Sequence, residues 1–269
     1  MSLGKLTAFL KKEFFVEISY RFAFFLQIFT IATRLFIFYF IDRLFGNHIV
    51  TQLKPYGVSY FPYVFLGLAF FSYIGTGAGS LANRIRNEQL TGTLEAILVT
   101  PTNIFTVVAA MGLWSFIWGA FSVVIYSLCG VLLFGVNLTY ANVFSVLVIL
   151  LLTAAAFGGL SLLAASFILI FKKGEPVTWV ANTLMGIFGG VYFPIAILPD
   201  WMQFFSPLVP VTYAVRAIQL AVYKGLPVAS LAGEICALLI FSVILLPLGI
   251  LSIEGAARLA KKKGSLGHY

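Results

Sequence analysis

The chain has 269 residues, 61% of them apolar and 10% charged, with a mean hydropathy of +1.03. An ordinary soluble domain carries about 25% charged residues, so a soluble globular fold, a disordered chain and a nucleic-acid-binding domain are excluded. The net charge is +8, but the basic residues sit between apolar runs, where they report orientation in a membrane.

In residues 3–20, Leu3, Leu6, Leu10, Phe14 and Ile18 recur at helical spacing on one face, while Lys5, Lys11 and Lys12 lie mostly off it. This predicts an amphipathic helix lying in the headgroup region. Lys and Glu interrupt the segment, so no removable leader is expected. The first span is predicted from Phe22 to Ile41, with Gln27 and Arg34 inside it, and a polar loop extends from Asp42 to Ser59. The second span runs from Tyr60 to Ala82 and ends in the small residues Gly75–Ser80. A polar segment, Asn83–Pro101, separates it from the third span, Ile104–Phe134. The fourth is Val143–Phe171, the loop Lys172–Pro176 is tight and charged, and the fifth is Val177–Leu198.

Residues 199–229 contain Pro199, Pro207, Pro210 and Pro227, so they cannot form one straight span. Between the prolines, Val211, Val215, Ile218 and Val222 share a face, with Arg216 and Gln219 off it. Short helices dipping into or lying on one membrane face are predicted here. The sixth span is Leu231–Ile253. Each span needs about 20 apolar residues, and six fit the length. The predicted fold class is an all-α integral membrane protein with one domain over 1–269: an interfacial helix at 1–21, a six-span core at 22–253 and a basic tail at 254–269.

Loop charge orients the chain. Twelve basic residues (Lys5, Lys11, Lys12, Arg21, Arg84, Arg86, Lys172, Lys173, Arg258, Lys261, Lys262, Lys263) fall on one side and four (Arg43, Lys54, Arg216, Lys224) on the other. The positive-inside rule places both termini in the cytoplasm of a multi-pass cell-membrane protein and residues 199–229 outside.

Catalytic and metal chemistry are not expected. The histidines, His48 and His268, and the cysteines, Cys129 and Cys236, are too few and too dispersed for a metal site. The cysteines read as packing residues rather than a disulfide. The phosphate-cradling pattern G-x-x-x-x-G-K-[ST] is missing, since the Gly4–Lys5 pair is followed by Leu6.

The Asn83–Pro101 segment is the most informative. Leu90, Leu94, Ile97 and Leu98 have amphipathic-helix spacing. Gly92 breaks the first turn, and Thr91 or Thr93 can cap a new helix beyond it, with Glu95 in that helix's first turn. The segment reads either as a surface helix closing a hairpin or as a docking helix for a cytoplasmic partner, its apolar face filling a groove.

Four parts in order now resemble the permease subunit of a type-2 ABC exporter. They are the N-terminal interfacial helix, NEQLTGTLEAILVTP after span two, YFPIAILPDWMQ (Tyr192–Gln203) at the outer end of span five, and SPLVPVTYAVRAIQ (Ser206–Gln219). The resemblance implies six spans, a dimer with a second copy of this chain and a separate ATPase subunit that holds the ATP and Mg, with no cofactor on this chain. It places the ATPase-coupling helix at Glu88–Leu98, with Thr91, Gly92, Thr93, Leu94 and Glu95 at its core. External re-entrant helices are implied over Pro199–Tyr223.

Arg84 and Arg86 read as positive-inside anchors or as partners for acidic groups on the ATPase. Pro194 and Pro199 are expected to end span five and start the re-entrant turn, which also holds Asp200, Pro210 and Arg216. Trp201 and Tyr213 read as interface anchors. Gly75 with Gly79, and Gly186 with Gly190, form G-x-x-x-G patterns that fit packing within one chain or a dimer seam. Phe70 and Tyr73 read as lipid or core packing, or as pathway contacts if they face the dimer axis. Arg34 sits mid-span and needs a partner or a water path, and a pair with Glu234 satisfies both. The expected function is the permease of an ATP-driven exporter with a hydrophobic or amphipathic substrate, a drug or lipid. The alternatives are a polysaccharide or lipid-linked glycan exporter and, in another class, an ATP-independent carrier or membrane scaffold.

Overall fold

The computed structural model describes residues 7, 10–15, 19, 21–44, 51–79, 81, 84, 104–171 and 175–262, and every regular element among them is helical. The main helices are α1 (Arg21–Leu44), α2 (Tyr60–Ile74), α3 (Ile104–Phe134), α4 (Val143–Phe171), α5 (Glu175–Phe188), α6 (Asp200–Gln203), α7 (Pro210–Tyr223) and α8 (Ala232–Lys262). Residues 10–15 are also helical, within the predicted interfacial helix.

Among the described residues, four stretches are long and apolar enough to cross a membrane: Phe24–Leu44, Val107–Phe134, Val143–Ile170 and Val228–Leu259. The second and fifth predicted spans take another form. α2 is 15 residues long and continues as a π-helical turn, Gly75–Gly79. Wider π turns are common where a helix has a functional break. α5 is 14 residues long and stops at Phe188, ten residues short of the predicted end at Leu198. The cause is local: Gly190 takes φ +70°, which ends a helix, and Pro194 keeps the next stretch extended at φ −58°, ψ 139°.

α2 is the central rod. Phe61, Tyr63–Phe70, Tyr73 and Ile74 are all buried in it. A helix that is apolar all round belongs in a protein interior or a bilayer, and α2 takes the first course by packing on α1, α3 and α7. α1 takes the second. It buries Ile31 and Leu35 on one face, while Phe22, Phe25, Phe29, Phe36 and Phe40 remain exposed on the others.

The most extensive helix pair is α4 with α8. It closes because Gly159 and Gly249 each face the backbone of the other helix: a Cβ on Gly159 would lie 2.3 Å from the Leu245 carbonyl carbon, and one on Gly249 would lie 2.6 Å from the Gly159 oxygen. Small residues let apolar helices approach when lipid supplies no hydrophobic drive between them. α8 continues past the predicted membrane exit at Ile253 as one helix to Lys262, with Arg258 3.8 Å from Glu254 one turn away.

Segment 199–223 is bent as its prolines require. Asp200–Leu208 and Pro210–Tyr223 meet at 88°. Pro210 begins α7 at its first turn, where proline's missing N–H leaves no hydrogen bond unmade. Val211, Val215, Ile218 and Val222 are buried, as their shared face predicts.

Candidate functional site

Two polar regions lie at opposite ends of the helices. The first is a cavity of about 490 Å³ between the loop at residues 52–56, the turn after α5 and the inner face of α7. Backbone-directed hydrogen bonds hold its walls. Gln219 Nε2 on α7 donates to the Tyr63 carbonyl at 3.2 Å, and the Tyr63 hydroxyl donates to the Gly190 carbonyl at 2.7 Å. The Tyr223 hydroxyl donates to the Pro62 carbonyl. Thr212 Oγ1 donates to the Ser206 carbonyl at 2.6 Å, fixing the bend before α7. The start of α4 is tied to the segment after α7 by Ser145 Oγ, which donates to the Leu226 carbonyl at 2.9 Å.

Periodicity puts Gln219 off the apolar stripe of α7, yet the residue is fully buried. α7 packs against α2, α4 and α8 together, so its buried arc is wider than the valine stripe and takes in Ala214, Ala217, Ala221 and Gln219. The amide's orientation is set by its partner, since only the NH₂ side can face the Tyr63 carbonyl. Gln219 Oε1 is then left buried without a hydrogen-bond partner, and so is the hydroxyl of Ser206. Both residues line the cavity. Tyr56 contributes a ring edge-on to Tyr63, 5.1 Å between centroids. Burial pushes the Tyr56 phenol above its ordinary pKa and outweighs the lowering by Arg216, so the hydroxyl stays protonated.

Arg216 stands at the mouth, its side chain 63% exposed, with Nε 3.2 Å from Glu234 Oε1 on α8. The expected Arg34–Glu234 pair therefore does not form. The bend before α7 carries Arg216 to the start of α8, while Arg34 on α1 is exposed. Nearer the start of α1, Gln27 Nε2 donates to Ser122 Oγ on α3 at 3.0 Å.

The second region joins the N-terminal helix to the polar segment after α2. Arg84 makes a salt bridge to Glu13, whose carboxylate is buried and also lies 3.6 Å from Lys12. Arg84 is thus engaged within its own chain. Glu13 gives no signal in the sequence beyond interrupting a basic run. Of the remaining predicted coupling residues, Arg86, Glu88, Thr91, Gly92, Thr93, Leu94, Glu95 and Leu98 lie outside the described residues, as do His48, His268, Lys172 and Lys173.

The other predicted residues divide by environment. Phe70 and Tyr73 are core, 1% and 3% exposed, with Tyr73 donating to the Leu150 carbonyl at 2.8 Å. A Cβ on Gly75 would meet open space, whereas one on Gly186 would press on the Tyr192 ring at 2.9 Å. Gly190 is a turn residue, where a Cβ would lie 3.2 Å from Ile195 and 3.4 Å from the Tyr63 hydroxyl on α2. Pro194 precedes a 3₁₀ turn, Ile195–Ile197, and Pro199 precedes α6, which begins at Asp200. Trp201 is exposed, and the Tyr213 hydroxyl donates to the Pro207 carbonyl at 3.2 Å. Among the described residues there is no cluster of metal-ligating side chains, and Cys129 and Cys236 are free thiols.

Comparison with known proteins gives the family. The family described as ABC-2 type transporter matches residues 5–223, from the N-terminal helix to the end of α7. The chain is similar to the inner membrane transport permease YadH of Escherichia coli strain K12, 25% identical over 177 residues, covering 65% of this chain and 68% of that protein. The YadH permeases of Escherichia coli O157:H7 and Shigella flexneri match to the same extent. A multi-pass helical membrane protein matched over this length belongs to the ABC-2 type transporter family.

Proposed function

We propose that the chain is the transmembrane permease subunit of an ATP-driven exporter, acting as a dimer and moved by a separate ATPase subunit. The observation that carries this reading is the family match over residues 5–223, together with relatives named as transport permeases. The missing phosphate loop fits a chain whose energy source is a partner. In this reading α2 with its π turn, and α5, are the second and fifth of six crossings, both termini are cytoplasmic, and residues 83–101 dock on the ATPase through the Leu90, Leu94, Ile97 and Leu98 face. ATP biases two packings of the dimer that differ in their affinity for substrate. The Glu13–Arg84 pair supports the mechanical part, because it ties the interfacial helix to the entry of the docking segment.

The substrate is hydrophobic or amphipathic in the first reading, since polar residues within the helices are few. A second reading, a polysaccharide or lipid-linked glycan, draws on the polar side chains Gln52, Gln203, Thr212 and Arg216 that line the cavity.

The test is a tagged purification from native membranes with an ATPase assay on the eluate. A co-purifying nucleotide-binding subunit, lost on Leu94→Asp while the permease stays in the membrane, supports the proposal. A dimer that never brings an ATPase with it, from cells expressing candidate ATPases, overturns it in favour of a carrier or scaffold.

A further inference from the structure

A second cavity, of about 290 Å³, lies between α3, α4 and α8. All three helices belong to stretches long and apolar enough to cross a membrane. Leu113, which lines the cavity, is 44% exposed, so the space opens outward from the bundle. Its walls carry no charge. Its one polar side chain, Ser161, spends its hydroxyl on the Phe157 and Gly158 carbonyls of its own helix, each at 2.9 Å. Water has no partner there, whereas an apolar hollow of about 150 Å³ already takes up benzene.

Length and charge narrow the occupant. The lining residues run from Val108 to Phe116 on α3 and from Ala154 to Leu162 on α4. Each wall is about 12 Å long, most of the roughly 15 Å depth of one leaflet. Spread over that length, the volume leaves a channel about 5 Å across, wide enough for one hydrocarbon chain and too narrow for a helix, about 10 Å across. On α8 the cavity reaches Leu246. Arg258 lies about 18 Å further along the same helix, beyond the hydrocarbon and level with the headgroups. Residues 254–263 set four basic residues against Glu254 alone. Arg258 is 83% exposed and has donors to spare beyond its 3.8 Å link to Glu254.

We propose that this cavity seats one acyl chain of an anionic phospholipid, with the lipid's phosphate against Arg258. The chain backs the Phe116 ring, which also fills the space where a Cβ on Gly77 would stand. The lipid therefore braces the π turn that follows α2. This goes beyond the exporter reading: the lipid is a fixed part of the fold and not the cargo, and the site stands whether or not the chain works with an ATPase.

The test uses the full-length chain in nanodiscs of equal parts dioleoylphosphatidylglycerol and dioleoylphosphatidylcholine. After extraction into detergent, native mass spectrometry counts the phospholipid that each chain retains. The expected result is one phosphatidylglycerol per chain, kept through washing. Gly158→Leu and Gly112→Leu fill the cavity, since a Cβ at either position meets no atom closer than 3.8 Å, and each is expected to cut retention about tenfold. Arg258→Gln should keep a lipid but lose the preference for phosphatidylglycerol. If Gly158→Leu loses its monodisperse elution, Gly112→Leu decides. The proposal is overturned if the wild-type chain retains no phospholipid or prefers phosphatidylcholine. It is equally overturned if retention is unchanged in the folded cavity-filling variants, or if Arg258→Gln leaves the headgroup preference as it was.

Discussion

Arg84 donates to the buried carboxylate of Glu13 across 71 positions of sequence. The pair joins the helical residues 10–15 to the chain that leaves α2. Breaking a buried ion pair from one side strands the other charge, which costs about 3–5 kcal/mol in a fully buried setting. Arg84 keeps a quarter of its side chain exposed, so Glu13→Ala is expected to destabilise the chain by about 2 kcal/mol. Glu13→Ala/Arg84→Ala should cost less than the sum of the single changes, by about 1 kcal/mol or more. Detergent-micelle unfolding of the four proteins of this cycle measures the coupling directly, and additive effects would show that the two residues do not meet.

The glycines of the helix core separate into contact and spare positions. Gly159→Ala drives a methyl group into the Leu245 carbonyl at 2.3 Å, and the α4–α8 pair must part to admit it. The expected cost is about 1–3 kcal/mol, read as a lowered unfolding temperature. Gly75→Ala meets nothing within 4 Å and should leave that temperature unchanged or raise it, because alanine loses less backbone freedom in a helical turn.

Charge exchange distinguishes the partners of Glu234. Arg216→Glu alone places two carboxylates together, and adding Glu234→Arg restores a complementary pair. Rescue is expected in that double variant and not in Arg34→Glu/Glu234→Arg, scored as the yield of monodisperse protein. The stability at stake is small, about 0.5 kcal/mol, because Arg216 is largely exposed. The sign of the rescue carries the information, and rescue through Arg34 would refute the observed pairing.

Composition and periodicity are enough to place the long helices. The third and fourth predicted spans coincide with α3 and α4 end for end, because Gly135 and Asn142 mark their boundaries in the chain itself: Gly135 takes φ +65°, and the Asn142 side chain accepts from the Ser145 N–H. Segments two and five are legible as apolar but not as short. Hydropathy does not register a turn widened at Gly75–Gly79 or a helix halted by a glycine at φ +70° four residues before Pro194. The cavity is less legible still. Gln219 reads as polar and therefore exposed, and only the three-sided packing of α7 shows why it is inside. A single glutamine among Ala, Val, Ile and Leu on a helix is the available clue. Tyr56, Tyr63 and Ser206 come from three separate segments, and no local pattern announces their meeting. Glu13 is hidden for the same reason, since its partner lies beyond the first two helices.

The clamp between α7 and α2 has an evolutionary corollary. Gln219 and Tyr223 reach for the carbonyls of Tyr63 and Pro62, and every residue type offers that acceptor. Substitution at 62 leaves the clamp intact, whereas exchange at 219 or 223 removes a donor that nothing else on α7 replaces. Selection for this contact therefore acts on one helix only. Homologous chains are expected to keep an amide and a phenol one turn apart at the end of α7 while position 62 on α2 drifts.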